Sequence, residues 1–335
     1  MKIGILGAGT WGVGLATILV GNDHDVTVWS YSRAEADEIS KNKAHRNLPG
    51  DVLPDGIRYT ADMEEACADK ELIIFVVPSV YMRDTARASA PYLPDGCIVA
   101  SASKGMEKGT LKTMTDIIED EIAASGRKIK YDIVALSGPT HAEEVVRGIP
   151  TSIVAACKSE AVAGRVAEVF SNSCLRAYTN TDVLGVELCG ALKNIIAIAA
   201  GALRGVGLGD NTLAMLITRG ISEMARIGMA MGCPRDTFMG LAGIGDLIVT
   251  CTSVHSRNNR CGELIGKGMS YDEAAREIGM VVEGYYALEA AMELSRKYGV
   301  EMPITAAVYE VIHHGVTPTD AISRLMNRKL KNETV

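Results

Sequence analysis

A lysine interrupts a strongly apolar stretch of this chain, and its neighbours give it an unusual chemical setting. Residues 190–197 read GALKNIIA, with Lys193 near the centre. The helical neighbours three and four positions away are Cys189, Gly190, Ile196 and Ala197. None of them can pair with an ammonium group. Burial among apolar residues lowers the pKa of a lysine and suits it to general acid–base chemistry near neutral pH. The spacing is equally compatible with a lysine that extends to the surface or pairs with a distant carboxylate.

Several polar segments have the composition of anion-binding or active-site loops. Residues 256–260 read SRNNR and combine hydroxyl, guanidinium and amide donors, which can hold a phosphate group but also suit a polar helix start. Residues 101–105 (SASKG) and 137–140 (SGPT) follow predicted strands, at the sheet edge where doubly wound folds bind ligands. Asp246 ends the glycine-rich stretch 241–246, where it can act in catalysis or cap a helix.

Residues 7–12 read GAGTWG and match the G-x-G-x-x-G pattern of dinucleotide-binding loops. They follow the apolar strand 3–6 and open an amphipathic segment, which makes the match far more specific than the glycines alone. Gly7 permits a tight turn, Gly9 lets backbone amides approach a pyrophosphate, and Gly12 allows a helix to pack closely on a strand. The alternative is a glycine-rich turn that binds no ligand.

The end of the second predicted strand indicates which dinucleotide to expect. NAD-binding folds of this kind place an Asp or Glu there, about 20 residues after the glycines, against the ribose 2′-hydroxyl. Here residues 29–33 read WSYSR, without a carboxylate, and Arg33 can meet a 2′-phosphate. We therefore expect NADP, or both NADP and NAD, with NADP favoured. Arg33 is equally compatible with a solvated position at the start of the next helix.

Two kinds of structure must position these residues. Short β-branched runs alternate with helical patterns through the first half, which indicates βαβ units and a doubly wound, mostly parallel sheet. The predicted strands are 3–6, 26–29, 57–60, 72–77, 98–102, 133–136, 152–156 and 175–179, and the predicted helices between them are 11–20, 33–43, 80–92 and 111–124. Beyond them we expect only helices, at 183–203, 213–231, 259–266, 271–278, 283–298, 304–313 and 320–327. The pattern predicts an α/β Rossmann domain over residues 1–180 and an all-α domain over residues 181–335, with a cleft between them.

Length and composition exclude several classes of protein. The 335 residues, 47% hydrophobic and 22% charged, fit two folded domains. A net charge of −7 argues against nucleic acid or an anionic membrane as a partner. The eight scattered cysteines and six histidines show no disulfide framework or metal-ligand spacing, so we expect free thiols, structural or exposed histidines and no metal. The N-terminus lacks a secretory pattern and the apolar stretch 188–203 is short for a membrane span, so we expect a cytoplasmic protein without stable membrane insertion.

Taken together, the motifs resemble those of the NAD(P)-dependent glycerol-3-phosphate dehydrogenases, the bacterial branch in particular. Segment 190–197 is close to the family's lysine signature, which continues through Gly201 and Gly205 to Asn211. The resemblance extends from residue 2 to about 328 and includes segments 7–12, 103–105, 137–140, 243–247, 256–258 and 281–284. Two positions depart from the pattern, since Tyr31 stands where members often have His or Arg, and Thr10 where Ser is common.

This resemblance implies reversible reduction of dihydroxyacetone phosphate to sn-glycerol 3-phosphate by NAD(P)H, which supplies glycerophospholipid biosynthesis. Lys193 and Asp246 would be catalytic, with Lys193 as the proton donor and Thr250 as a further candidate. With the glycine loop and Arg33, the predicted cofactor site comprises Gly7, Gly9, Thr10, Trp11, Gly12, Tyr31, Arg33, Lys104, Ala142, Arg257, Val281 and Glu283. The implied substrate site comprises Lys104, Gly138, Thr140, Lys193, Asp246, Ser256, Arg257 and Asn258. Arg257 and Lys104 would neutralise the phosphate group. The oligomeric state stays open, with a homodimer as one possibility.

Two other functions stay open at this point. A dehydrogenase of the same architecture that acts on a 2-ketoacid or hydroxyacid would need carboxylate-binding donors at residues 256–258, and it would turn over substrates without phosphate. A cofactor-sensing module would keep the fold without the chemistry. Lys193 and Asp246 argue against a sensor, because a sensor needs no proton donor.

Overall fold

A computed structural model describes residues 1–330, 332 and 333, and the first half of the chain forms one sheet of eight strands. The strand order is β3-β2-β1-β4-β5-β6-β7-β8, and the neighbours are parallel except for β6 and β7. The strands are β1 (Lys2–Leu6), β2 (Asp25–Trp29), β3 (Ile57–Thr60), β4 (Leu72–Phe75), β5 (Cys97–Ser101), β6 (Tyr131–Ser137), β7 (Thr151–Ala156) and β8 (Leu175–Asn180). The doubly wound sheet and all eight predicted strands are confirmed, and the chain reverses its direction of winding between β1 and β4, where such folds bind ligands.

Sixteen α-helices are described, seven of them connecting strands of the sheet and nine following it. The first seven are α1 (Thr10–Gly21), α2 (Arg33–Asn42), α3 (Met63–Cys67), α4 (Met82–Ser89), α5 (Met114–Ala124), α6 (Ala142–Val146) and α7 (Glu160–Phe170). The rest are α8 (Val183–Val206), α9 (Asp210–Ala230), α10 (Arg235–Met239), α11 (Asp246–Thr252), α12 (Arg257–Gly266), α13 (Tyr271–Ile278), α14 (Glu283–Tyr298), α15 (Pro303–His314) and α16 (Pro318–Met326). The change from strands to helices falls between Asn180 and Val183, and the division into domains at residue 180 stays a prediction.

Five of these helices were not predicted, namely α3, α6, α7, α10 and α11. The first two and α10 are single turns of five residues, too short for a hydrophobic period to be recognised. The glycine-rich stretch 241–246 is not an open turn, because Leu241–Gly245 forms a π-helical turn that leads directly into α11. A Cβ atom on Gly243 would lie 2.0 Å from the carbonyl oxygen of Phe238, so glycine is needed for this close turn.

Helix α8 is the central element of the helical half. It is long and apolar enough to cross a membrane by length and composition, but 83% of its most apolar 18-residue window is buried inside the protein. Helices α9, α11, α12, α14 and α15 pack against it, and so does β6 of the sheet. The apolar stretch predicted to be a buried helix is therefore confirmed as the core helix that carries Lys193.

Two pairs of glycines bring α8 and α12 into backbone contact. A Cβ atom on Gly201 of α8 would lie 1.8 Å from the carbonyl oxygen of Asn259, and one on Gly262 of α12 would lie 1.9 Å from that of Ile198. Gly205 and Gly266 repeat the contact one turn further along both helices. Because these obstacles are backbone atoms, no side-chain movement can make room for a methyl group. The glycines therefore set the distance between Lys193 on α8 and the polar residues that begin α12.

Hydrogen bonds join the first turns of α8 to neighbouring helices. The side chain of Asp182 caps α8 by accepting from the Gly185 amide at 2.9 Å. The buried carboxylate of Glu187 accepts from the backbone amide of Thr115 at 2.9 Å and from its hydroxyl group at 2.5 Å, at the start of α5. Burial raises the pKa of Glu187 to about 7, although these hydrogen bonds lower it. Helix α8 is thus attached to the sheet half through α5.

We predict that Gly201→Ala destabilises the protein, although alanine is the better helix former. The added methyl group overlaps a backbone carbonyl, and overpacking of this kind costs about 1–3 kcal/mol, more than the roughly 1 kcal/mol gained in helix propensity. Urea unfolding of this variant and of the parent measures the change in the free energy of unfolding.

Gly164→Ala is the matched control, because Gly164 also lies within a helix and nothing lies within 4 Å of its Cβ position. This variant should be as stable as the parent or slightly more stable. Equal stabilisation by both alanines would contradict the packing argument.

Candidate active site

Lys193 pairs with Asp246 deep inside the protein. Its Nζ atom donates to Asp246 Oδ1 at 2.5 Å and to Thr250 Oγ1 at 2.6 Å. Lys193 is 5% exposed and Asp246 1%. The interpretation of Lys193 as a lysine that extends to the surface is therefore wrong. The interpretation that it pairs with a distant carboxylate is confirmed, since Asp246 lies 53 residues further along the chain. Thr250 lies one turn after Asp246 on α11, so one helix supplies both partners.

Asp246 also holds a second ammonium group. Lys104 follows β5, and its Nζ atom donates to Asp246 Oδ2 at 2.7 Å and to the carbonyl oxygen of Gly138 at 3.1 Å. The helix-cap interpretation of Asp246 is wrong, because Asp246 is the first residue of α11 and its carboxylate faces the two lysines instead. One carboxylate thus bridges Lys104 and Lys193, and these three side chains, the Lys–Asp–Lys cluster, carry a formal charge of about +1 when both lysines are protonated.

Burial and the neighbouring charges shift two pKa values in this cluster. Burial lowers the pKa of Lys193 to about 8, since the attraction of Asp246 only partly offsets burial and the repulsion of Lys104. Burial alone would raise the pKa of Asp246, but the ammonium groups of Lys104 and Lys193 together outweigh it and hold that pKa below its usual range. Asp246 is therefore an anion at neutral pH, while Lys193 can both release and take up a proton.

These residues lie in a cleft of about 450 Å³ that runs from the glycine loop to the helices. Thirteen of the predicted site residues line it, namely Gly9, Thr10, Trp11, Lys104, Thr140, Ala142, Lys193, Asp246, Ser256, Arg257, Asn258, Val281 and Glu283. The structure therefore brings together residues from seven separate stretches of the chain. The predicted cleft between the sheet half and the helical half is present.

The remaining predicted residues lie outside the lining of this cleft. Gly7 and Gly12 pack against each other, since a Cβ atom on Gly12 would lie 1.9 Å from the Gly7 carbonyl oxygen, and they shape the loop rather than face the cleft. Gly138 contributes its carbonyl oxygen to Lys104. Tyr31 is 91% exposed and Arg33 is also exposed, beyond the end of β2.

The segment with phosphate-binding composition begins α12. Ser256 caps this helix by accepting from the Asn259 amide at 3.2 Å, so the interpretation as a polar helix start is also correct. The Asn258 side chain donates to Asn194 Oδ1 at 3.0 Å and accepts from the Gly284 amide at 2.9 Å, which joins α12 to α8 and α14. Arg257 is exposed at the cleft, and its Nη1 atom donates to the Val281 carbonyl oxygen at 3.0 Å.

Glu283, the first residue of α14, connects the helical half to the sheet half. Its carboxylate accepts from the Ser79 amide at 3.0 Å and from the Ser79 hydroxyl group, just after β4. Burial raises the pKa of Glu283 in spite of these two hydrogen bonds. The contact bridges the two walls of the cleft directly.

Three histidines that we expected to be structural or exposed also line the cleft. They are His45, His141 and His255. The His141 and His255 rings lie 6.0 Å apart, and His141 Nε2 is buried with no hydrogen-bond partner among the described residues. Burial lowers the pKa of both His45 and His141. For two of them the position in the sequence was a usable signal, because His141 directly follows the SGPT segment and His255 directly precedes Ser256.

Asn194 and Glu35 also line the cleft and were not among the predicted site residues. Asn194 is adjacent to Lys193 in the helix signature, so its position was a usable signal. Glu35 lies in the first turn of α2, just beyond residues 29–33, where a carboxylate was expected and is absent. Within the described part of the chain, no group of three or more His, Cys, Asp or Glu side chains could hold a metal ion.

We predict that Asp246→Asn destabilises the protein by about 3–5 kcal/mol, the usual loss when one partner of a buried ion pair is removed. Two ammonium groups would then share a buried site without a counter-charge. Chemical denaturation at pH 7 measures the loss of stability.

Asp55→Asn is the control, because Asp55 pairs with Lys43 at the surface. Such pairs contribute little, so this variant should unfold with the parent. If the two substitutions had the same effect, the cluster would not depend on its carboxylate.

Comparisons with family models, relatives and solved structures match nearly the whole chain to the same kind of protein. Two family models, described as the N-terminus and the C-terminus of NAD-dependent glycerol-3-phosphate dehydrogenase, match residues 2–163 and 182–323. A protein of Lactobacillus delbrueckii subsp. bulgaricus named glycerol-3-phosphate dehydrogenase [NAD(P)+] 2 is 53% identical over 99% of this chain and 98% of its own length. One of Agathobacter rectalis, named glycerol-3-phosphate dehydrogenase [NAD(P)+], is 45% identical over 99% and 97%. The crystal structure of glycerol-3-phosphate dehydrogenase from Coxiella burnetii superposes with a TM-score of 0.91 at 34% identity, over 98% of this chain and 99% of that one.

Proposed function

Because the chain belongs to the NAD-dependent glycerol-3-phosphate dehydrogenase family, we propose that it reduces dihydroxyacetone phosphate to sn-glycerol 3-phosphate, reversibly, with NADH or NADPH. The observation that carries the proposal is the buried Lys–Asp–Lys cluster in the cleft that begins at the glycine loop. It combines a titratable proton donor with positive charge beside a dinucleotide-binding loop. The product supplies glycerophospholipid biosynthesis in the cytoplasm.

The glycine loop fits a dinucleotide pyrophosphate. Gly9 precedes α1 in an extended conformation and, as a glycine, provides no side chain to cap the helix. The first amides of α1 therefore point toward the cleft without a side-chain acceptor, which is the arrangement that binds phosphate at a helix N-terminus. A Cβ atom on Gly9 would meet nothing within 4 Å, so the loop leaves open space for a ligand. We assign the dinucleotide to this loop and to the cleft-lining residues of the sheet half, with Arg257, Val281 and Glu283 from the helical half.

Lys193 is the proton donor in this proposal. The bound nicotinamide supplies the hydride for reduction and accepts it in the reverse reaction. As the carbonyl oxygen of the substrate gains negative charge, the Lys193 ammonium group donates a proton to it, while Asp246 and Thr250 keep Nζ in place. In the reverse direction, neutral Lys193 removes the proton from the alcohol.

The substrate phosphate is assigned to the start of α12. Arg257 is the exposed cation there, and Ser256 and Asn258 lie on either side of it in the cleft lining. Lys104, with Gly138 and Thr140 beside it, supplies further positive charge from the sheet half. A phosphate bound between Arg257 and Lys104 would draw the two walls of the cleft together and orient the ketone toward Lys193.

The assay that tests the substrate compares dihydroxyacetone phosphate with dihydroxyacetone. We expect oxidation of NADH or NADPH with the phosphate, and a kcat/KM lower by at least roughly 10–100-fold without it, since charge-assisted hydrogen bonds to a phosphate contribute about 1.5–3 kcal/mol. Arg257→Gln should lose far more activity with the phosphate ester than with dihydroxyacetone, because its contact with the dinucleotide is lost for both substrates but its contact with the phosphate only for the ester.

Arg260→Gln is the matched control, because Arg260 lies on the same helix and faces Glu277 instead of the cleft. It should leave both substrates unaffected. Absence of turnover with dihydroxyacetone phosphate would remove the substrate assignment and leave the fold intact.

The pKa of Lys193 predicts opposite pH dependences for the two directions. It lies at about 8, so the protonated acid is lost as the pH rises through 8, whereas the neutral base is gained. The kcat/KM for reduction of the ketone should therefore fall above pH 8, and that for oxidation of the alcohol should rise up to about pH 8 and then level. Initial rates between pH 6 and 10 in both directions measure this.

Lys193→Met should lower kcat in both directions by about 10²–10⁴-fold, the usual contribution of a positioned acid or base. Its affinity for NADPH, measured by fluorescence titration, should stay near that of the parent. Full activity in this variant, or parallel pH profiles for the two directions, would rule out Lys193 as the proton donor.

A further inference from the structure

The cleft extends past the glycine loop to a carboxylate that the expected cofactor preference did not include. Glu35, in the first turn of α2, lines the cleft together with Gly9 and Thr10 of the loop. Its position is fixed, because the Ser30 hydroxyl group donates to Glu35 Oε2 at 2.5 Å. Ser30 is 1% exposed and directly follows β2, and its Oγ atom accepts from the Ser32 amide at 3.2 Å. The carboxylate is thus tied back to the end of β2.

The end of β2 is where a dinucleotide bound to this type of loop places its adenosine ribose. A carboxylate there accepts a hydrogen bond from the 2′-hydroxyl group of NAD and repels the 2′-phosphate of NADP. We infer that Glu35 is the residue that selects the cofactor, by binding the ribose 2′-hydroxyl group of NADH and disfavouring NADPH. The inference rests on the proposed function only in that a nicotinamide dinucleotide occupies the cleft.

The positive groups near this end of the cleft do not offset the carboxylate. Arg33, the residue expected to meet a 2′-phosphate, is exposed and does not line the cleft, and neither does the uncharged Tyr31. Arg46 pairs with Glu38 at 2.7 Å. Lys43 pairs with Asp55.

His45 also lines the cleft and interacts electrostatically with Glu35. Burial lowers the pKa of His45 in spite of the attraction of Glu35, so His45 is mainly neutral at pH 7.5. Three lysine and arginine side chains line the described cleft, of which Lys104 and Lys193 bind Asp246 and Arg257 begins α12. The charge at the ribose end of the cleft is therefore negative. The inferred preference for NADH is the opposite of the preference for NADP expected from residues 29–33.

The experiment measures equilibrium binding of NADH and NADPH to the full chain at pH 7.5 by calorimetry, without substrate, so that it does not depend on turnover. We expect the parent to bind NADH at least roughly tenfold more tightly than NADPH, as the like-charge contact requires. Glu35→Gln should bind NADPH about tenfold more tightly than the parent does, and should reduce the ratio to near one.

Asp37→Asn is the matched control, since it removes the same charge from the same helix but at an exposed position outside the cleft lining, and it leaves the pair between Arg46 and Glu38 intact. It should keep the parent ratio. Arg33→Ala tests the opposite assignment, and a selective loss of NADPH affinity in this variant would overturn ours.

Other outcomes separate this inference from the proposed function. An unchanged NADH/NADPH ratio in a folded Glu35→Gln variant, checked by circular dichroism, overturns the role of Glu35 while dinucleotide binding stands. If Glu35→Gln does not fold, Glu35→Ala replaces it, and the parent's NADH/NADPH ratio in that variant would overturn the inference. If neither NADH nor NADPH binds the parent, the proposed function is overturned as well.

Discussion

One buried carboxylate, that of Asp246, is the interaction on which the site depends. A charge can remain inside a protein only when it is paired, and Asp246 is paired twice, with Lys193 from the core helix and with Lys104 from the end of β5. The contact between Lys104 and Asp246 therefore ties the sheet to the helices at the cleft itself. It also leaves the cluster with one excess positive charge when both lysines are protonated. An anionic substrate complements that charge, whereas a neutral one does not.

The rest of the helical half holds this arrangement at the required distances. Glycines at 201, 205, 262 and 266 let α8 and α12 meet backbone to backbone, so the proposed proton donor and the proposed phosphate-binding segment lie on two helices in direct contact. Asn258 adds a side-chain link from α12 to Asn194 and to the Gly284 amide. The family signature around Lys193 thus combines one residue proposed to act in catalysis with several glycines whose role is to permit close helix packing.

The sequence predicted what depends on local pattern and missed what depends on distance along the chain. The eight strands were predicted because β-branched runs are local, and Lys193 was identified because it differs from its immediate neighbours. Its partner is 53 residues away, so the pairing with Asp246 needed the fold. Helix α11 was missed because it has only seven residues and directly follows a glycine-rich stretch. Glu35 was missed because a residue five positions after Ser30 is not expected at the strand end, whereas the first turn of α2 and the Ser30 hydrogen bond bring its side chain back there.

Helix α8 has a consequence for the synthesis of the chain. The helices that cover it in the helical half, α9, α11, α12, α14 and α15, all follow it in sequence, so the ribosome makes the apolar segment Val183–Val206 before its cover exists. Translation at about 5–20 residues per second leaves this segment without most of its partners for roughly ten seconds. During that interval it presents the nascent chain with an uncovered apolar surface of membrane-helix length, interrupted by Lys193. The charge that serves the mature site thus also makes the unfinished chain a poorer substrate for insertion into a bilayer.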